Sequence, residues 1–150
     1  MHRRNLLALG AAGLATAALA QPGSRPPGGL SRLPGAEIPI SSEERQARIA
    51  RAQVLMRQQG ISALLVEPGS SLVYFTGVRW SRSERLTCAI IPVEGEIGVV
   101  TPFFEEPSVR ESLAVPAQVR TWQEHEDSLA LVAGWLRDRR LGSGAVAIEE

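Results

Sequence analysis

The nine residues Ile61-Ser62-Ala63-Leu64-Leu65-Val66-Glu67-Pro68-Gly69 decide how this chain is read. The run Ile61 to Val66 is short and almost wholly apolar, and it is closed by the turn signal Pro68-Gly69. That pattern predicts a strand buried on both faces of a sheet, which requires layers packed on either side of it. On its N-terminal side, Ser41-Ser42-Glu43-Glu44 fits a capping box that opens a helix, and Gly60 supplies the stop. Within that helix Ile49, Ala52, Leu55 and Met56 share one apolar face, and Arg45, Arg48, Arg51 and Arg57 flank it as a solvated face.

On the C-terminal side, the segment Leu72-Val73-Tyr74-Phe75-Thr76-Gly77-Val78-Arg79-Trp80-Ser81-Arg82-Ser83-Glu84-Arg85 reads as a loop between two core segments. Strands are expected at Leu86 to Ile91 and Ile97 to Thr101, joined as a hairpin through Pro92-Val93-Glu94-Gly95-Glu96. A short helix is expected from Glu105 to Leu113, a strand from Ala117 to Trp122, and a helix from Asp127 to Arg140. In that last helix Leu129, Val132, Ala133 and Leu136 share a face, Arg137, Arg139 and Arg140 suit the C-terminal dipole, and Gly142 ends it. Ala145 to Ile148 makes a final strand. Helices alternating with short apolar strands predict an α/β domain with a mixed, mostly parallel sheet flanked by helices.

The chain has 150 residues, 44% hydrophobic and 21% charged, enough for one modest core with appendages. Sixteen basic residues balance sixteen acidic ones, so no overall field favours nucleic acid or an anionic bilayer. All the basic residues are arginine, which rules out a Schiff-base or P-loop lysine. The one cysteine, Cys88, allows no internal disulfide.

Residues 1–20 have the anatomy of an export signal: Arg3 and Arg4, an apolar run from Leu6 to Leu19, and Ala18-Leu19-Ala20 before Gln21. The run is shorter than the roughly 20 apolar residues that cross a bilayer comfortably, so no stable membrane anchor is expected. His2-Arg3-Arg4-Asn5-Leu6-Leu7 resembles a twin-arginine signal, and the general secretory route remains its equal. Residues 21–40, rich in proline and glycine, read as a leader to a domain spanning 41–150. The expected destination is therefore an exported, periplasmic one.

Past the leader the chain has a single histidine, His125, within Glu124-His125-Glu126-Asp127. Such a cluster invites a metal, yet it directly precedes a helix, where acids favour the dipole and Asp127 or Ser128 can cap; the capping role is the stronger reading. Cys88, among apolar neighbours, reads as a small inert hydrophobe, since a nucleophile would need His125 beside it. No phosphate loop, nucleophile elbow or zinc spacing is present. The binding residues therefore fall on the loop before the second strand, where Arg79, Arg82 and Arg85 lie near Trp80. A fork of guanidinium groups beside an indole can grip a carboxylate and pack an apolar ring. The bland alternative pairs Glu84 with one arginine and leaves Trp80 sealing the core edge.

Residues Glu44 to Glu150 resemble the N-terminal domain of the creatinase, prolidase and aminopeptidase P family of pita-bread metallopeptidases. The resemblance rests on Ile61-Ser62-Ala63-Leu64-Leu65-Val66, on Tyr74-Phe75-Thr76-Gly77 in place of a Tyr-Leu-Thr-Gly motif, and on Ser83-Glu84-Arg85-Leu86. Val119-Arg120-Thr121-Trp122 and the closing Ala147-Ile148-Glu149 complete it. It implies that the chemistry resides in a following catalytic domain, absent from these 150 residues, where two Asp, one His and two Glu hold a pair of divalent ions (Mn, Co or Zn). No metal ligand or catalytic residue is assigned in this chain, which is expected to be inactive alone. It implies homo-oligomer formation and a peptide substrate reached through the missing domain, with Trp80, Arg82 and Arg85 as substrate-facing residues. A binding module on the same fold without peptidase chemistry is the alternative. A third possibility, a small α/β enzyme using His125 and Cys88, requires those two side chains to meet.

Overall fold

The computed structural model describes residues 38–149; the expected export signal and most of the leader lie outside them. Helix α1 spans Ser42–Gln59, with Ser41 as its N-cap: the Ser41 hydroxyl accepts from the Glu44 amide at 3.1 Å. Only the serine half of the capping box forms, because the Glu44 carboxylate is held by Arg48 one turn on. Gly60 ends the helix at φ 70°, a left-handed conformation that glycine adopts without a Cβ penalty.

Strand β1 follows at Ile61–Val66, then helix α2 at Ser70–Thr76, strand β2 at Cys88–Pro92 and strand β3 at Ile97–Pro102. A 3-10 turn at Phe103–Glu105 leads into helix α3 at Glu106–Ser112. Strand β4 (Ala117–Trp122), helix α4 (Ser128–Asp138) and strand β5 (Ala145–Ile148) complete the order. The five strands form one sheet in the order β4-β3-β2-β1-β5. β1/β5 and β3/β4 pair parallel, while β2 runs antiparallel to both neighbours. The sheet is thus mixed, two parallel pairings and two antiparallel, rather than mostly parallel. The hairpin at Val93–Glu96 accounts for one reversal, and the long excursion through α2 and the 77–87 loop for the other.

Strand alternation divides the core into two layers. Val66, Ala89, Ile91, Ile97 and Val99 face α1, α2 and α3, packing with Ile49, Met56, Leu72 and Val109. Ala63, Cys88, Ile90 and Val100 face α4, packing with Val132 and Trp135. Trp135 packs closely against β3, where Gly98 supplies the room: a Cβ there would sit 2.5 Å from the indole.

Four details differ from the sequence reading. Leu72–Thr76, the first part of the segment read as a loop, belongs to helix α2, because burying Leu72 and Thr76 on one side outweighs the strand preference of Val73, Tyr74 and Phe75. Arg45 is buried rather than solvated; its guanidinium donates to the carbonyls of Val73 and Tyr74 at the end of α2. Arg48 joins it, donating to the Tyr74 carbonyl and stacking 4.2 Å from the Tyr74 ring, so two arginines supply donors at the C-terminal end of a short helix, beside the backbone bonds that Val73 accepts from Gly77 and Thr76 from Ala114. Leu55 and Leu129, expected in the core, are exposed, and Trp135 takes the deepest position on α4. Finally α4 ends before Gly142: Arg140 adopts φ 59°, with Arg140 N–H donating to Arg137 and Leu141 N–H to Leu136. Those two bonds make a Schellman cap, and the Leu141–Leu136 pair beside the α4-side core supplies its apolar clasp.

Candidate functional site

Because β1, β3, β4 and β5 run one way and β2 the other, the ends of four strands and the start of β2 meet at one edge of the domain. That is the edge where α/β folds present their loops to ligands. Gathered there are Glu67 after β1, the 79–87 loop before β2, Phe103–Glu105 after β3 and Glu124 after β4. Glu149, after β5, accepts from the Ser71 hydroxyl at 2.5 Å and ties α2 to this end.

Within the loop, Ser83 folds the backbone over itself: its hydroxyl accepts from the Arg85 amide and donates to the Arg85 carbonyl, both at 3.2 Å. This turn aims Arg85 across the sheet end at Glu124, 39 residues later, with Nε and Nη2 donating to Glu124 Oε1 at 3.2 and 3.0 Å. Nη1 reaches Glu84 at 3.1 Å. The hydrogen bond and charge of Glu124 raise the Arg85 pKa above its ordinary value, with smaller help from Glu84 and Glu105, so the cation is permanent. Arg82 pairs with Glu67 at 3.1 Å, and Arg79 is exposed. Below the loop, Trp122 Nε1 donates to the Leu86 carbonyl at 3.0 Å. The Thr87 hydroxyl donates to Glu105 at 3.2 Å, and its single proton being used, it accepts from Thr101 at 3.0 Å.

The structure therefore brings Arg82 and Arg85 to the same edge, while the indole of the same loop packs on the core. Trp80 is half-buried and packs against the α1-side core. The aromatic that meets Arg85 is Phe104, whose centroid lies 5.7 Å from the guanidinium carbon; Phe103 stands edge-on to it at 6.1 Å. Both phenylalanines are about half exposed. Sequence reasoning passed over them, although two adjacent phenylalanines directly after a strand were the available signal.

The acidic cluster is taken up by local structure. Asp127 is the N-cap of α4, accepting from the Leu129 and Ala130 amides at 2.9 and 3.0 Å. Glu126 accepts from the Gln123 amide at 2.7 Å, and Glu124 holds Arg85. Among the described residues no group of three or more His, Cys, Asp and Glu side chains is arranged to hold a metal ion. Cys88 is fully buried in β2, where desolvation pushes its thiol up to about 12, while His125 is exposed in the turn before α4. The two do not form a nucleophile and base.

Comparison with known proteins accords with this architecture. The profile of the Creatinase/Prolidase N-terminal domain matches residues 48–150. An uncharacterized peptidase of Schizosaccharomyces pombe is 31% identical over 60% of this chain and 23% of its own length. The crystal structure of dipeptidase PepE from Mycobacterium ulcerans superposes with a TM-score of 0.58 at 31% identity, over 64% of this chain and 26% of that one. The N-terminal domain of Xaa-Pro dipeptidase from Lactobacillus brevis shares the fold, with a TM-score of 0.62 at 20% identity over 68% of this chain and 75% of that one. The chain thus spans about a quarter of the length of the yeast and mycobacterial proteins. By its sequence from residue 48 onward and by its sheet, the chain belongs to the Creatinase/Prolidase N-terminal domain family.

Proposed function

We propose that this chain is the non-catalytic N-terminal domain of an exported Xaa-Pro aminopeptidase or prolidase-like metallopeptidase. In this reading it contributes contacts between subunits and turns the loop carrying Trp80, Arg82 and Arg85 toward the peptide substrate. The family match over residues 48–150 carries the reading, together with relatives described as peptidases and dipeptidases. In this reading the metal pair belongs to the domain that follows in the family; among the described residues no group of three or more His, Cys, Asp and Glu side chains is arranged to hold a metal ion. The loop sits where a substrate would be met, and its ion pairs are exposed ones. Exposed pairs of that kind are weak and screened by solvent, so a carboxylate on a peptide can exchange with Glu124 or Glu67 at small cost. The coding sequence beyond Glu150 tests the enzyme assignment: two Asp, one His and two Glu at the family's ligand positions are expected. A reading frame without them would leave a binding module on the same fold. Export is tested by fractionating cells that express the untagged chain. Recovery of a shortened form from the periplasm is expected, and the full-length form in the cytoplasm would overturn it.

A further inference from the structure

Helix α1 and the segment leading into it carry four exposed large apolar side chains: Ile38, Ile40, Val54 and Leu55. Val54 and Leu55 are 45% and 49% exposed, outside the arc of the helix that buries Arg45, Ile49 and Met56. Ala47, Arg51 and Val54, all exposed, follow one another at spacings of four and three and so form one ridge along the outer surface. Apolar surface gathered on one helix face marks a face that a partner covers. The charges on that face are separated by sign, with Glu43 in the first turn and Arg51 two turns further on. Arg48 is taken by Glu44, and Arg57 donates to the Val93 carbonyl. Among the described residues neither Glu43 nor Arg51 enters an ion pair.

We infer that this face binds the same face of a second copy of the chain, the two α1 helices running antiparallel about a two-fold axis at Ala47. The occupant follows from charge complementarity and from the spacing along the helix. Arg51 lies four residues beyond Ala47 and Glu43 four residues before it, about 6 Å of helix in each direction. Val54 lies seven residues beyond Ala47, about 10 Å of helix, and Ile40 seven residues before it, just outside the Ser41 cap. Laying one helix antiparallel on the other therefore brings Glu43 of each copy to Arg51 of the other. It also brings Ile40 of each copy to Val54 of the other, with Leu55 adjoining. At the centre Ala47 meets its own counterpart, and its small side chain lets the axes approach to the 8–10 Å at which helices pack. A two-fold contact has to be self-complementary, and this face is so in charge and in apolar surface alike. The inference rests on the reading that the domain contributes contacts between subunits, and it adds which face makes the contact and in which register.

The test is sedimentation velocity of the 150-residue chain at about 5 to 200 µM, the range in which a small contact associates, where a monomer–dimer equilibrium is expected. Arg51→Glu and Glu43→Arg each set two like-charge pairs across the contact, and each should weaken the dimer about tenfold or more. Mixing the two variants in equal amounts should restore dimerisation to within a few-fold of the parent. In the mixed pair one chain supplies both acidic groups and the other both basic ones, so each pairing is again of opposite charge. That recovery also guards against a folding defect, since misfolded chains would not pair. Val54→Ser should weaken the dimer in the parent and in the mixture alike. A dimer unmoved by either charge reversal would overturn the inference and leave the contact between subunits to another surface. Reversals that weaken the dimer without recovery on mixing would overturn the two-fold register at Ala47. A chain monomeric throughout the range would overturn both the inference and the reading beneath it, and would leave the face to a partner of another kind.

Discussion

Replacing Gly98 by alanine tests how the α4-side core is built. Gly98 lies in β3, and a Cβ there would fall 2.5 Å from Cε2, 2.6 Å from Nε1 and 2.9 Å from Cζ2 of Trp135. Non-bonded carbons rest about 3.5 Å apart, so the indole must retreat by about 1 Å. It cannot do so freely, because Trp135 is fully buried and Arg139 covers its ring at 4.3 Å. Overpacking of this kind costs about 2–3 kcal/mol, and removing a strand glycine returns about 0.5–1 kcal/mol, leaving a net loss of about 2 kcal/mol. For a domain of this size that lowers the melting temperature by about 10 °C. Urea unfolding followed by far-UV circular dichroism measures it directly. Trp135→Phe supplies the control, since the indole Nε1 has no hydrogen-bond partner to lose. In that background the cost of Gly98→Ala should shrink, with a coupling of about 1 kcal/mol in the double-mutant cycle. A Gly98→Ala protein as stable as the parent, or one equally destabilised in both backgrounds, would refute this account of the layer.

Arg45→Met should destabilise the domain by about 2 kcal/mol in the same assay, because the two carbonyls at the end of α2 lose a buried charged donor. Asp127→Ala should cost about 1 kcal/mol through loss of the α4 cap, whereas Asp127→Ser or Asp127→Asn should restore most of it. Cys88 should resist a thiol reagent at pH 8 in the folded chain and react once urea unfolds it. Its folded pKa is raised above the unfolded value, so the associated stability is fully present below about pH 9 and declines as pH rises toward 12. Cys88→Ala should remove that alkaline component of the pH–stability profile.

The layered α/β plan was legible in the sequence because β1, β3, β4 and β5 are short runs with apolar residues at core positions, bounded by Gly, Pro or polar turns. Ser41, Gly60 and the hairpin at Val93–Glu96 act locally and could be read one by one. What depended on distant partners could not. Leu72 and Thr76 are buried on one side of α2, Leu72 within a core whose other members lie on distant helices and strands, and Arg45 is buried because α2 ends above it. Leu129 satisfies the helical period yet sits on the outer side of α4, since the period fixes which residues share a face and leaves open where that face ends. The loop from Arg79 to Arg85 was identifiable from its composition and place between core segments. Its geometry was not, because Glu124 and Phe104 reach Arg85 only through the parallel pairing of β3 with β4 and the antiparallel pairing of β2 with β3.

The central claim, a domain that positions peptide and carries no metal chemistry of its own, is tested most directly by calorimetric titration of the 150-residue chain with MnCl2, with proline release from Ala-Pro assayed in the same samples. The account predicts neither stoichiometric metal binding nor release of proline. Tight binding accompanied by turnover would contradict it and would return the chemistry to Glu124-His125-Glu126-Asp127.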